Sequence, residues 1–306
     1  MKAAVTGSSG FVGRHLVPYL RACGDDVVTI DHTGDPPVDV TDAAEIRAVL
    51  RAARPDAVYH LAALSHVGRS WDTRESVFRV NALGALNVLR AGTDAGAGRV
   101  LVAGSADVYG AVSEADLPLT EDAPIRPITP YGASKAAADV LALQAFLGDG
   151  LPTLRVRAFN HTGPGQSASM LVPGLAKRVA EAERSGGSKI NVGNLDVVRD
   201  LSDVRDVVRA YRLLIEHGTP GEAYNVCSGR GASVREIAER LIAMSDSVLT
   251  LIVDSELLRT IDVPRLVGSP AKLIAATGWE PEIDLRTTMH DVLSEARMRP
   301  EAPLSS

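Results

Sequence analysis

Thr6-Gly7-Ser8-Ser9-Gly10-Phe11-Val12-Gly13 constrains this chain more than any other stretch, because of what flanks it. The apolar run Ala3-Ala4-Val5 precedes it and Arg14-His15-Leu16-Val17 follows. The pattern predicts a short strand that runs into a glycine loop and then into a helix. In such a unit Gly7 permits the tight turn and Gly10 lets a pyrophosphate approach the backbone. Gly13 lets the helix pack against the strand. The helix N-terminus adds free N–H groups and the positive end of its dipole. Ser9, Phe11 and Val12 belong to the same cofactor-binding candidate. A glycine triplet alone also fits a plain loop; the strand before and the helix after are what point to a dinucleotide.

Short apolar runs then alternate with helical patterns. Val27 to Ile30, Ala57 to Leu61 and Val100 to Ala103 read as strands. Ala43 to Ala53, with Thr41 or Asp42 as N-cap, and Glu75 to Ala91 read as helices. The alternation predicts an α/β fold with a parallel sheet covered on both faces. Pro18 inside the first helix is expected to kink or loosen it. Around Asn160 the character changes to a glycine- and proline-bearing loop, His161 to Gln166, followed by further helices and short strands. Ser233 and Glu236 are spaced for a capping box at the start of one of these helices.

Bulk properties exclude several classes. With 306 residues the chain can bury a large core, in one large domain or two intimate ones. A net charge of −6 argues against a nucleic-acid partner. No apolar run is long enough to span a bilayer. The first strand is expected from Lys2, which leaves no room for a signal peptide, and a cytoplasmic protein is expected. The two cysteines, Cys23 and Cys227, offer neither a disulfide framework nor a metal spacing, and both read as buried free thiols. No metal is expected.

The chemistry-bearing residues lie where such a sheet would bring them together. Asp31 ends the second strand, placed to accept hydrogen bonds from the adenosine ribose. A carboxylate there repels a 2′-phosphate, so NAD(H) is favoured, although His32 and Thr33 leave NADP(H) possible. Asp39 and Val40 either hold the adenine edge or simply precede a helix cap. Leu61, Ala62 and Ala63, at the end of the third strand, are further cofactor-binding candidates. Tyr131-Gly132-Ala133-Ser134-Lys135 puts a phenol and an ammonium one helical turn apart on one face. The ammonium is expected to lower the phenol pKa, so that Tyr131 exchanges a proton with a carbinol or carbonyl oxygen. Ser105 follows the strand ending at Ala103 and is placed to bond the same oxygen.

Thr6 to Gly13, Ser105-Ala106-Asp107-Val108-Tyr109-Gly110 and Tyr131 to Lys135 together resemble the extended short-chain dehydrogenase/reductase family that acts on nucleotide sugars. The resemblance runs from Lys2 to about Trp279. It implies a Rossmann-type doubly wound parallel sheet with a smaller, interleaved C-terminal substrate domain. The division expected is 1–159 with 203–228 for NAD(P), and 160–202 with 229–306 for the nucleotide sugar. Arg157 to Gln166, Val192 to Asp200 and Tyr224 to Gly229 are similar to the GDP-sugar branch. That branch implies Asn160 near the sugar and diphosphate, and Arg199 and Arg259 on the phosphates. Asp262 would take the guanosine ribose, with Ser65, Lys177 and Val192 as further substrate contacts. Arg259 lacks the proline usual after it.

The resemblance implies reduction of the C4 ketone of GDP-4-keto-6-deoxy-D-mannose by NAD(P)H, with a homodimer as a family expectation. A dehydratase must also remove a proton at C5, for which its relatives carry a Glu where this chain has Asp107. Asp107 therefore stays a catalytic candidate, and a dehydratase or epimerase that retains its NAD is the alternative. A non-catalytic NAD-binding protein is a further alternative, disfavoured because Tyr131 and Lys135 are both present.

Overall fold

The computed structural model describes residues 1–257 and 263–298. Its centre is a six-stranded parallel sheet built from β1 (Lys2–Thr6), β2 (Asp26–Ile30), β3 (Ala57–His60), β4 (Arg99–Ala103), β5 (Thr153–Ala158) and β9 (Ala223–Val226). The spatial order is β2-β1-β3-β4-β5-β9. The chain moves outward from β1 in one direction, then crosses over and moves outward in the other. This is the doubly wound Rossmann-type arrangement.

Each strand turns alternate residues to opposite faces, which is why both faces must be covered. Ala3 and Val5 of β1 join a core with Leu16 and Leu20 of α1 (Phe11–Ala22) and Val207 and Leu214 of α7 (Val204–His217). Ala4 faces the other way. It packs with Ile46 and Leu50 of α2 (Ala43–Ala53), Val88 of α4 (Gly84–Ala95) and Ala142 of α5 (Pro130–Asp149). Asp42 is the N-cap of α2, accepting from the N–H groups of Ala44 and Glu45.

A second core gathers the remaining elements. It contains α6 (Leu171–Ser185), β7 (Lys189–Val192), α8 (Val234–Ile242) and α10 (Leu285–Met298). The strand β8 (Val198–Asp203) runs beside it and pairs with β6 (Asn160–Thr162), β10 (Gly231–Ser233) and β12 (Arg265–Leu266). β11 (Thr250–Val253) pairs with β7, and α9 (Ala271–Thr277) packs back on the first core through Leu273. The capping box of Ser233 and Glu236 opens α8.

Two expectations change. The helix expected from Glu75 to Ala91 is broken into α3 (Arg74–Phe78), a π turn over Arg79–Leu83, and α4. The wider turn brings Asn81 inward, where its amide bonds both backbone groups of Leu64 and the Ser134 hydroxyl (2.9 Å). Cys23 is exposed, because it sits at the C-terminal end of α1 where Gly24 turns the chain outward; Cys227 is buried. α1 runs through Pro18 as one helix, with the proline on its exposed side. Among the described residues no helix is long and apolar enough to cross a membrane.

Candidate active site

A cleft of about 460 Å³ opens where β1, β3, β4 and β5 end. Gly7, Leu61, Gly104 and Phe159 each follow one of those strands and line it. Ligands bind at this edge because the loops there are free of the crossover helices.

The glycine loop forms one end. Gly7 has φ +70°, and a Cβ on it would lie 2.6 Å from the Ala62 nitrogen. A Cβ on Gly13 would lie 2.4 Å from the Gly7 carbonyl oxygen, so only glycine lets α1 approach the loop this closely. Gly10 is the N-cap of α1; it supplies no side-chain cap, and the first turn holds no acidic residue. Phe11 and Val12 line the cleft beside it. The N–H end of the helix is thus open to an anion, which fits a pyrophosphate.

Asp31 secures this loop from β2. Its carboxylate accepts from the Ser9 N–H (2.9 Å), the Thr33 N–H (3.1 Å) and the Thr33 hydroxyl (2.9 Å). Burial by itself would raise this carboxyl, but the bonds from Ser9 and Thr33 outweigh it and hold the pKa at about 2. Asp39 and Val40 stand just before α2. Asp39 accepts from the Thr41 N–H at the start of α2, and Val40 packs in the core against Gly84. Ala63 lines the cleft, and the Ala62 N–H reaches the Thr6 hydroxyl (3.4 Å).

The reactive set stands in the middle. Thr129 caps α5 by accepting from the Gly132 N–H (3.0 Å), and Pro130 occupies the first turn. Tyr131 therefore enters the cleft at the helix start, with Lys135 one turn on. A Cβ on Gly132 would lie 2.6 Å from the Asp107 carbonyl oxygen, so a glycine is needed for α5 to meet the Ser105 turn. The Tyr131 phenol and Ser105 both line the cleft, with the Ser105 hydroxyl among the groups that act on the phenol. The Ser105 hydroxyl donates to Asp107 Oδ2 (2.9 Å) and accepts from the Asp107 N–H (3.1 Å). Lys135 Nζ donates to the Ala103 carbonyl (2.7 Å).

The electrostatics differ from the sequence expectation. Burial, and then the negative Asp107, push the Tyr131 phenol well above its ordinary value, and the neighbouring Ser105 hydroxyl offsets this only in part. The expected lowering by Lys135 is overturned: its ammonium is turned onto Ala103, and burial dominates the phenol. Burial also lowers the Lys135 pKa to about 8. Tyr131 is accordingly protonated at neutral pH, the state required of a proton donor.

Sequence reasoning missed several groups here. His60, at the end of β3, is buried with Nδ1 2.8 Å from the Thr6 hydroxyl. Burial, and then the nearby Lys135 charge, lower its pKa to about 3, so it is neutral. Phe11 stacks on His161 of β6, with centroids 6.1 Å apart and planes 6° from parallel. The His15 ring nitrogen and Arg14 bond the carbonyls of Pro164 and Gly165, tying the His161–Gln166 loop to α1. Strand-end position was the available signal for His60; nothing local marked the others.

The substrate candidates divide. Ser65 and Asn160 line the cleft. Lys177 points to solvent and pairs with Glu181 (3.5 Å), and Val192 is buried in the second core. Arg199 donates to the carbonyls of Val198 and Val263, away from the cleft lining. Arg259 and Asp262 lie outside the described residues. Among the described residues no group of His, Cys, Asp or Glu is gathered to hold a metal ion.

Comparison with known proteins places this geometry in context. The profile of the NAD dependent epimerase/dehydratase family matches residues 3–227. The chain is 38% identical to the GDP-6-deoxy-D-mannose reductase of Pseudomonas aeruginosa, over 97% of this chain and 98% of the relative. It is 31% identical to the GDP-6-deoxy-D-talose 4-dehydrogenase of Aggregatibacter actinomycetemcomitans, over 91% and 92%. The structure of RMD from Pseudomonas aeruginosa complexed with NADPH superposes with a TM-score of 0.89, covering 97% of this chain and 98% of that one at 36% identity.

Proposed function

The chain belongs to the NAD dependent epimerase/dehydratase family, and on that premise we propose that it reduces the C4 ketone of GDP-4-keto-6-deoxy-D-mannose, forming GDP-D-rhamnose. The observation that carries the reading is Ser105, Tyr131 and Lys135 brought together in one cleft beside the glycine loop, in a chain similar over its length to a GDP-6-deoxy-D-mannose reductase. The glycine loop, Ser9, Asp31, Leu61, Ala63 and Lys135 would hold NAD(P)H, which when bound supplies the hydride for the ketone carbon. Tyr131 gives its phenolic proton to the developing alkoxide. Ser105 turns its hydroxyl from Asp107 to the ketone oxygen and polarises it. Lys135, its Nζ fixed by the Ala103 carbonyl, orients the nicotinamide ribose. The ionised Asp31 supports NADH over NADPH. Ser65 and Asn160 contact the sugar and diphosphate, with Lys177, Val192, Arg199, Arg259 and Asp262 as outer candidates.

In this reading residues 1–159 and 203–228 hold the cofactor, and the other segments grip the nucleotide sugar. The enzyme is a cytoplasmic homodimer. Val140 and Leu147 support the dimer: they lie two turns apart on α5 and are 56% and 73% exposed, and Phe78 and Leu83 are exposed as well. Light scattering should then give about twice 32.2 kDa. Cell fractionation tests the location.

A dehydratase is the second reading, favoured by Asp107 standing in the cleft on the Ser105 hydroxyl. One experiment separates them. The purified protein is given the 4-keto sugar with NADH or NADPH, and cofactor oxidation is followed by absorbance. Stoichiometric oxidation supports the reductase, and the product's proton couplings distinguish a rhamno from a talo configuration at C4. Turnover of GDP-mannose without added reductant would overturn it in favour of the dehydratase.

A further inference from the structure

Behind the cleft lies a buried polar network that the proposed reaction leaves unused. Asp139 is on α5, one turn beyond Lys135 and two beyond Tyr131, on the same face and only 2% exposed. Its carboxylate accepts from Arg157 Nε (3.0 Å) and Arg155 Nη1 (2.7 Å), both guanidiniums reaching over from β5. Arg157 continues in the opposite direction. Its Nη1 donates to the Tyr109 hydroxyl (3.1 Å) and the Glu121 carbonyl (2.8 Å). The Tyr109 hydroxyl donates to Asn225 Oδ1 of β9 (2.6 Å), and the Asn225 N–H donates to the Glu121 carboxylate (2.7 Å). Tyr109 closes the turn that begins at Ser105.

We infer that Asp139, Arg157 and Tyr109 are positioning residues that hold the Ser105 turn and the start of α5, which carries Tyr131, in fixed relation. Ser105 and Tyr131 sit on separate elements, the turn after β4 and the start of α5. They meet where Gly132 packs on the Asp107 carbonyl, and the Ser105–Asp107 bond must open when a ketone enters. The network provides the fixed side. A guanidinium is a planar fork, so Arg157 sets two directions at once: toward α5 through Asp139 and toward the Ser105 turn through Tyr109. β5 is the spacer between them, held between β4 and β9 in the sheet. Both arginines pair with the one carboxylate of Asp139. An ion pair this deep contributes little net stability, and its value lies in geometry. The Arg157 guanidinium lies over the Tyr109 ring at 5.2 Å, so Tyr109→Phe keeps that packing and removes only the hydroxyl.

The kinetic arm of the test rests on the proposed reduction; the exchange arm does not. Tyr109→Phe and Asp139→Asn are made in the full chain, and Tyr109→Phe carries the test if Asp139→Asn fails to fold. Hydrogen exchange by mass spectrometry should rise in the peptides covering 104–110 and 130–135 while 7–13 stays as in the wild type. With the 4-keto sugar, kcat should fall about 10- to 100-fold, as for a small misplacement of reacting groups, while KM for NADPH stays within about two-fold. Unchanged exchange at 104–110 overturns the inference, as does an unchanged kcat. A rise in exchange throughout, with KM for NADPH rising in step, marks general loosening and also overturns it. If the wild type itself does not oxidise NADPH with the ketone, the reduction reading falls and the exchange arm alone decides.

Discussion

Lys135→Met should make the cofactor-free protein more stable near neutral pH while it abolishes most turnover. Methionine keeps the unbranched shape of the side chain and removes its charge. Burial lowers the Lys135 pKa from 10.5 to about 8, a difference worth about 3 kcal/mol at about 1.4 kcal/mol per pH unit. Because the folded-state pKa lies below the unfolded one, the unfolded chain binds the proton more tightly between those two values. Stability therefore rises with pH across about 8 to 10.5, and the full penalty is present below about 8. Against this gain stands the lost bond from Nζ to the Ala103 carbonyl, about 1 kcal/mol. The variant should be more stable by about 2 kcal/mol at about pH 7, and the difference should fall to near zero by about pH 10. Urea unfolding of both proteins at several pH values measures it directly. A variant that is less stable by the same amount at every pH would falsify the claim that the ammonium is held at an electrostatic cost.

Three further outcomes follow from the same geometry. Tyr131→Phe should lower kcat by about 100- to 10,000-fold with NADPH binding unchanged in a fluorescence titration, since only the proton donor is removed; undiminished turnover would show that the acid is elsewhere. Gly13→Ala puts a methyl 2.4 Å from the Gly7 oxygen and 2.5 Å from the Ser8 oxygen, both backbone, and should destabilise the protein by about 1–3 kcal/mol in urea. Cofactor affinity should drop with it. Asp31→Ala strips the acceptor from Ser9 and Thr33, so KM for NADH should rise by about 10-fold, corresponding to about one lost hydrogen bond. NADPH should suffer less, because a negative charge near its 2′-phosphate is removed.

The features legible in the sequence are those whose physics is local. The strand, glycine loop and helix of the first thirty-odd positions depend on neighbours along the chain, and Asp42 and the Ser233–Glu236 box cap helices whose ends they adjoin. Tyr131 and Lys135 are one helical turn apart whatever surrounds them. What failed was inference about environment. Cys23 has apolar neighbours in sequence but sits at an exposed helix end. The effect of Lys135 on Tyr131 was judged from spacing alone, whereas burial of the phenol and the direction of the ammonium decide it.

The sequence by itself determined that a dinucleotide loop, a tyrosine–lysine helix and a serine turn occur in one α/β chain. Only the tertiary structure decided how they meet. Asp139 and Arg157 are 18 residues apart, and Tyr109 and Asn225 are 116 apart. No periodicity or spacing rule reaches across such separations, because side-chain direction and burial are fixed by packing of distant segments. The π turn that swings Asn81 onto Ser134, the neutral His60 under Lys135 and the arginine fork behind the cleft all exist only once the sheet has closed.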